Sequence, residues 1–252
     1  MASPDIKLLE TVSVTKRFDG LTALENVSYS VKEGEVKGII GPNGAGKTTL
    51  FNVMTGELKA TSGKVFLKGK DISNLPPYAI CRMGLSRTFQ LTLVFPEMTV
   101  YESIWIGVNS RSRHPWNPVA LAGGIVHGRK RTEEICQWVG LWEKRNEMAC
   151  NLSYGDQKVL EIAMALSTEP AVLLLDEPTQ GVSPKETDTL MEVVERLSKQ
   201  MTIVLIEHSM DVVLRLCHVI TVLSEGRVIA EGPPAVIRKN DLVQRIYLGE
   251  TG

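Results

Sequence analysis

Three stretches of the chain are short and mostly apolar: Val36-Lys37-Gly38-Ile39-Ile40, Ala171-Val172-Leu173-Leu174-Leu175, which is apolar throughout, and Thr202-Ile203-Val204-Leu205-Ile206. Runs of this length with β-branched residues predict strands buried on both faces, the kind found in parallel sheets. Each ends in polar residues: a glycine loop after the first, Asp176-Glu177 after the second, Glu207-His208 after the third. Leu8 to Val14 and Ala23 to Val31 read as strands joined by a turn at Asp19-Gly20, and Lys64 to Leu67 turns at Gly69-Lys70 into Asp71-Ile72. Gly84 to Gln90 reads as a strand ending in a polar side chain, after a short helix over Tyr78 to Met83.

Helical spacing appears elsewhere. Thr99 with Glu102 forms a capping box opening a helix to about Val108. Arg131 to Leu141 carries apolar residues at helical spacing. Lys158 to Leu166 carries a strong stripe, opened by Ser153 as N-cap with Asp156 in the first turn. Ser183-Pro184-Lys185-Glu186 predicts a second capping box, with Pro at the first helical position and a helix to about Lys199. Met210 to Cys217 reads as a helix, His218 to Leu223 and Arg227 to Ala230 as a hairpin, and Asp241 to Leu248 as a closing helix. Asn109 to Gly128, with its prolines and Gly123-Gly124, is expected to be an irregular surface excursion.

The loop after the first buried run is Gly41-Pro42-Asn43-Gly44-Ala45-Gly46-Lys47-Thr48, which fits G-x-x-x-x-G-K-[ST]. A strand before it and helical Thr48 to Met54 after it supply the context for a phosphate-binding P-loop. Backbone N–H groups and the positive end of the helix dipole converge there. Lys47 would reach the terminal phosphates, and the Thr48 hydroxyl would ligate Mg²⁺. In an open parallel sheet ligands bind beyond the carboxyl ends of the strands, so Asp176 and Glu177 would stand beside this loop. Asp176 suits Mg²⁺, and Glu177 suits proton abstraction from an attacking water. His208 ends a strand in line with them and so would face phosphate. Phe18 offers an adenine-stacking face, although the residue alone favours packing. Ser153 and Gly155 open a helix that can bind an anion, and capping alone would also account for them.

Bulk properties narrow the classes. With 252 residues, 43% hydrophobic and 23% charged, the composition is that of an ordinary globular protein. A formal net charge of −1 gives no footprint for nucleic acid or acidic lipid. No apolar run approaches the ~20 residues a membrane helix needs, and Met1 to Asp5 carry no secretion-signal pattern. Cys81, Cys136, Cys150 and Cys217 stand apart, as expected of reduced thiols in a cytosolic protein. The basic clusters Arg111-Ser112-Arg113-His114 and Arg129-Lys130-Arg131 read as a solvated face or a partner contact.

Taken in order, these landmarks resemble the ATPase subunit of ABC transporters, over about Leu8 to Glu250. The family's P-loop matches Gly41, Pro42, Asn43, Gly44, Ala45, Gly46, Lys47 and Thr48, with Thr49 following. Its adenine-stacking aromatic falls on Phe18. Its loop glutamine, which reaches Mg²⁺ and the membrane partner, falls on Gln90. Its signature falls on Leu152-Ser153-Tyr154-Gly155-Asp156, its second acidic motif on Leu173 to Glu177 and its switch histidine on His208. Tyr154 stands where the common signature has Gly, Asp156 where it has Gln, and Ser183 where an Asp usually couples the two sites of a dimer.

The resemblance implies a single α/β domain. It has a P-loop core with a mostly parallel sheet, an antiparallel β lobe (together about 6–90), an inserted helical lobe (about 91–155), the remaining core (about 156–230) and a C-terminal tail (231–252). It implies an ATPase using ATP and Mg²⁺, with Lys47, Glu177 and His208 in catalysis and Thr48, Gln90 and Asp176 toward the metal. It also implies that Ser153, Tyr154, Gly155 and Asp156 face ATP on a second ATPase subunit. Two transmembrane permease subunits and a substrate-binding protein would complete an assembly on the cytoplasmic face of the cell membrane, with no nucleic acid partner.

Gly84 to Gln90, Glu97-Met98-Thr99-Val100, the Leu-Ser-Tyr-Gly signature, Glu207-His208-Ser209-Met210 and Tyr247-Leu248-Gly249-Glu250 are similar to the branched-chain amino acid importers and their amide or urea relatives. The closing Tyr-Leu-Gly-Glu also occurs in the lipopolysaccharide-export ATPase. A non-transport ABC protein acting on ribosomes or DNA is the other class, one that usually carries tandem ATPase domains or a long coiled coil.

Overall fold

The computed structural model describes residues 7–88, 94–110 and 118–248. In chain order the elements are β1 (Lys7–Phe18), β2 (Leu21–Lys32), β3 (Val36–Ile40), α1 (Lys47–Met54), β4 (Ser62–Leu67), β5 (Lys70–Asp71), α2 (Pro77–Met83), β6 (Leu85–Arg87), α3 (Val100–Asn109) and α4 (Pro118–Val139). They continue with α5 (Tyr154–Leu166), β7 (Val172–Asp176), α6 (Pro184–Ser198), β8 (Thr202–Ile206), α7 (Met210–Leu216), β9 (Val219–Ser224), β10 (Arg227–Gly232), α8 (Pro234–Ile237) and α9 (Asp241–Leu248).

The strands form two sheets. A six-stranded sheet runs β10-β9-β3-β8-β7-β6, parallel throughout except for the antiparallel β9–β10 hairpin. A four-stranded antiparallel sheet runs β2-β1-β4-β5. The turn between β1 and β2 is Asp19-Gly20, both residues at positive φ (35° and 98°), the conformation that two-residue hairpins require.

The three mostly apolar stretches form β3, β7 and β8, and every residue in these strands is buried. Alternation along each strand divides its side chains between two cores. Leu173, Leu175, Ile203 and Leu205 enter a core shared with α3 to α7. Val172, Leu174, Val204 and Ile206 enter a second core with α1 and the antiparallel sheet. Lys37 is the one charged residue of β3. It is 3% exposed, and its ammonium bonds the Ser30 carbonyl at 2.8 Å and Glu231 at 2.9 Å. A charge in this position needs such partners to offset its desolvation.

Helices α3, α4 and α5 build the helical lobe, with α5 also against α6. Thr99 and Glu102 form the expected capping box: the Glu102 amide donates to Thr99 Oγ1 at 3.2 Å and the Thr99 amide to Glu102 Oε2 at 2.9 Å. Two expectations fail locally. Residues 118–128 of the predicted irregular excursion belong to α4, which runs on into the helix expected from Arg131. Pro118 occupies the first helical position, which needs no N–H donor, and a helical Gly costs only about 1 kcal/mol against Ala. Packing against α3 and α5 overrides that cost. At α6, the Ser183 hydroxyl makes no cap bond to the helix backbone and donates to the Glu186 carboxylate instead. Among the described residues no helix is long and apolar enough to cross a membrane.

The cysteines differ in environment. Cys136 and Cys217 are buried, and burial pushes their thiols up to about 11 and about 12. Cys150 is exposed. Because the thiolate is the reactive form, a native-state thiol titration at pH 8 is expected to modify Cys150 first and to leave Cys136 and Cys217 unmodified until the chain is unfolded. Early modification of Cys217 would contradict this packing.

Candidate active site

The carboxyl ends of β3, β7 and β8 lie side by side, because β8 pairs in parallel with both β3 and β7. A cleft of about 560 Å³ opens beyond them, lined among others by Phe18, Asn43, Lys47, Glu177, Gln180 and His208. Gly44, Ala45, Gly46, Thr48 and Thr49 complete its P-loop wall.

The loop is held from behind. The Gly226 amide donates to the Ala45 carbonyl at 3.1 Å, and the Glu25 amide to the Gly226 carbonyl at 2.8 Å. Gly46 is the N-cap of α1 at φ 99°, and a Cβ there would stand 2.6 Å from the Ala23 carbonyl oxygen. Only glycine satisfies both conditions. The α1 N-terminus has no side-chain cap and no acidic residue in its first turn. Its amides therefore suit an external anion. Lys47 folds across the loop and donates to the carbonyls of Gly41 (2.7 Å) and Pro42 (3.0 Å). Burial lowers its pKa, against the opposing pull of Glu177 and Asp176.

Glu177 follows β7 in the left-handed region at φ 48°, an uncommon state for a non-glycine residue and a store of local strain. Its amide donates to the Ile206 carbonyl at 2.9 Å, and its Oε1 lies 2.7 Å from His208 Nε2. The next loop is braced by Glu207, whose Oε1 accepts from the Thr179 amide (2.9 Å) and hydroxyl (2.7 Å).

Asp176 stands behind this front. It is 1% exposed and does not line the cleft. Burial raises its pKa, opposed by Arg87, whose Nη2 donates to Oδ2 at 2.6 Å. The Arg87 guanidinium also reaches Asn52 at 2.5 Å and Glu57 at 3.3 Å, and lies 5.5 Å from the Phe51 ring centroid. Arg87 thereby joins β6, α1 and β7. Its role escaped the sequence reading, because an ion pair across 89 residues leaves no local pattern.

The donor chemistry fits a magnesium polyphosphate. Thr48 lines the cleft with a hard oxygen, whereas the Asp176 carboxylate, paired with Arg87 behind it, would meet an ion only through water. Among the described residues no group of three or more His, Cys, Asp or Glu side chains could hold an ion. An ion here would therefore complete its shell with phosphate oxygens and water, as Mg²⁺ does. Phe18, at the rim, is 40% exposed, with Lys16 Nζ 4.7 Å from its ring centroid. Gln90 lies outside the described residues.

Ser153, Tyr154, Gly155 and Asp156 do not line the cleft. Ser153 caps α5, its Oγ accepting from the Asp156 amide at 3.2 Å and donating to Asp156 Oδ2 at 3.1 Å. Asp156 also forms an ion pair with Lys144.

The ABC transporter family profile matches residues 24–180. The chain belongs to the ABC transporter family. The profile of the branched-chain amino acid ATP-binding cassette transporter matches residues 227–252 of this ABC subunit. It is 41% identical to the high-affinity branched-chain amino acid transport ATP-binding protein LivG of Salmonella typhimurium, over 96% of this chain and 98% of that protein. It is 38% identical to the probable LivG protein of Archaeoglobus fulgidus, over 97% and 96%. An ABC transporter cassette solved in its ADP conformation superposes with a TM-score of 0.83 at 35% identity, covering 97% of this chain and 99% of that one. A cassette solved as a post-hydrolysis dimer with ADP and Pi gives 0.76 at 26% identity, over 90% and 98%. The ABC subunit thus has the fold expected: a P-loop ATPase core with a mostly parallel sheet, an antiparallel lobe and a helical lobe.

Removing Arg87 leaves the buried Asp176 carboxylate without its guanidinium. Arg87→Ala is expected to cost about 3–5 kcal/mol in urea unfolding, and Asp176→Asn added to it should recover part of that loss. A strictly additive double variant would show that the two side chains do not depend on each other.

Proposed function

We propose that this chain binds Mg·ATP in the cleft beyond β3, β7 and β8, closes on a second ABC ATPase subunit and hydrolyses ATP to power import of branched-chain amino acids. The observation that carries the reading is the convergence of Lys47, Glu177 and the Glu177–His208 contact on one wall. The names of the relatives carry the transported substrate class.

Phosphoryl transfer relies mainly on positioning and charge stabilisation. Lys47 and the amides of Gly44 to Thr49 hold the β- and γ-phosphates, and Phe18 stacks on adenine. Thr48 and Gln90, with Asp176 through water, would hold Mg²⁺, which would supply charge neutralisation on the phosphate oxygens. Glu177 Oε accepts a proton as the water oxygen bonds to the γ-phosphorus. The bond from that phosphorus to the bridging oxygen breaks, giving ADP and phosphate. His208 orients the Glu177 carboxylate and contacts the γ-phosphate. Ser153 and Gly155 lie outside the cleft of their own chain, so the reading assigns them, with Tyr154 and Asp156, to ATP on the partner.

A groove of about 290 Å³ between α2, β6 and α5, lined among others by Glu57, Ile80, Arg87 and Met164, supports docking of a permease element there. Two permease subunits and a substrate-binding protein complete the importer, with this single-domain chain peripheral on the cytoplasmic face. Arg111 and Arg113 of the first basic cluster lie outside the described residues.

Glu177→Gln is expected to lower turnover by about 10²–10⁴-fold while ATP still binds and traps a dimer. Wild-type turnover in this variant would remove Glu177 from the chemistry. Lys47→Ala is expected to weaken ATP binding by about 10- to 100-fold, from loss of a charged hydrogen bond. Unchanged affinity in a nucleotide titration would show that the P-loop is not the phosphate site.

A further inference from the structure

The amides in the first turn of a helix have no partner within it. In α5 one of these, the Gly155 amide, is engaged by an acidic side chain of another helix, donating to Glu186 Oε1 at 3.3 Å. Glu186 lies in the first turn of α6, and its Oε2 accepts from the Ser183 hydroxyl at 2.5 Å. One carboxylate therefore sits between two helix N-termini, a position that both dipoles favour. The Ser183 and Ser153 hydroxyls and the Gly155 amide hold its pKa down to about 2. The approach is close: a Cβ on Gly155 would stand 2.7 Å from the Glu186 Cβ. The single proton of the Ser153 hydroxyl has Asp156 Oδ2 and Glu186 as alternative acceptors, and Asp156 is held besides by Lys144.

We infer that Glu186 is a positioning residue of the signature loop: in the separated subunit its carboxylate occupies the anion-binding place on Ser153 and Gly155, and the γ-phosphate of the partner's ATP must displace it for the dimer to close. The inference rests on the assignment of Ser153 and Gly155 to the partner's ATP. Its consequence is a threshold. The internal carboxylate keeps the loop in shape while it is empty and raises the ATP concentration at which two subunits close. When phosphate is lost after hydrolysis, the same carboxylate returns to the amide and favours opening.

The test uses Glu186→Gln, which keeps the length of the side chain and its acceptor for Ser183 but removes the charge. In a Glu177→Gln background, dimer formation is followed by sedimentation against ATP concentration. Adding Glu186→Gln is expected to lower the half-maximal ATP concentration about three- to tenfold, the scale of exchanging a charged hydrogen bond for a neutral one. Glu192→Gln removes a charge from an exposed position of the same helix and should leave the midpoint unchanged. An unmoved midpoint with Glu186→Gln, or an equal shift with Glu192→Gln, overturns the inference. In the separated chain, the amide proton resonance of Gly155 should move upfield in Glu186→Gln, a readout that needs no dimer. An unmoved resonance also overturns it. If the Glu177→Gln chain binds ATP but does not dimerise, while the Gly155 resonance shifts, the assignment of Ser153 and Gly155 to the partner's ATP fails. The threshold then falls with it, although the contact stands.

Discussion

The parallel pairing of β3, β8 and β7 is the constraint on which the site depends. Ile39 of β3 and Asp176 of β7 both register with Ile206 of β8, so the three strands end together. Each then hands the chain to a polar turn: the P-loop, Glu177, and Glu207-His208. A slip of one residue in this register would exchange the faces of a strand that feeds two cores. Burial of every side chain in these strands therefore fixes the chemistry as firmly as it fixes the fold.

Charge placed so close to an apolar sheet has to be balanced. Asp176 has Arg87, Lys37 has Glu231, and Glu207 accepts two bonds from Thr179. Glu177 meets His208 in a contact that opens onto the cleft. The pairs behind the front hold loops and strands in place, and the pair at the front is exposed to a ligand. A polyphosphate entering this cleft meets loop geometry already set by Gly46, Ala45 and Gly226. Binding then costs less ordering, as preorganised sites require.

Much of this was legible along the chain. Short, mostly apolar runs disclosed β3, β7 and β8, and the polar residues after each disclosed the wall of the cleft. Asp19-Gly20 disclosed the first hairpin. The rest depends on tertiary adjacency. Arg87 meets Asp176 only because β6 pairs with β7, and Glu186 meets Gly155 only because α5 packs on α6. Helix α4 was hidden for a related reason: Pro and Gly are local signals of irregular structure, and packing against α3 and α5 outweighed them. The burial of Asp176 behind the cleft was also unreadable, since a strand-end carboxylate looks the same in sequence whether it faces solvent or an arginine.

The most direct measurement is amide hydrogen exchange of the Glu177→Gln chain, with and without Mg·ATP, at concentrations spanning self-association. The account predicts protection of residues 41–49 at every protein concentration where ATP is bound, and protection of residues 153–156 only where dimers form. Protection of residues 153–156 in the monomer, or ATP binding that leaves residues 41–49 unprotected, would contradict it.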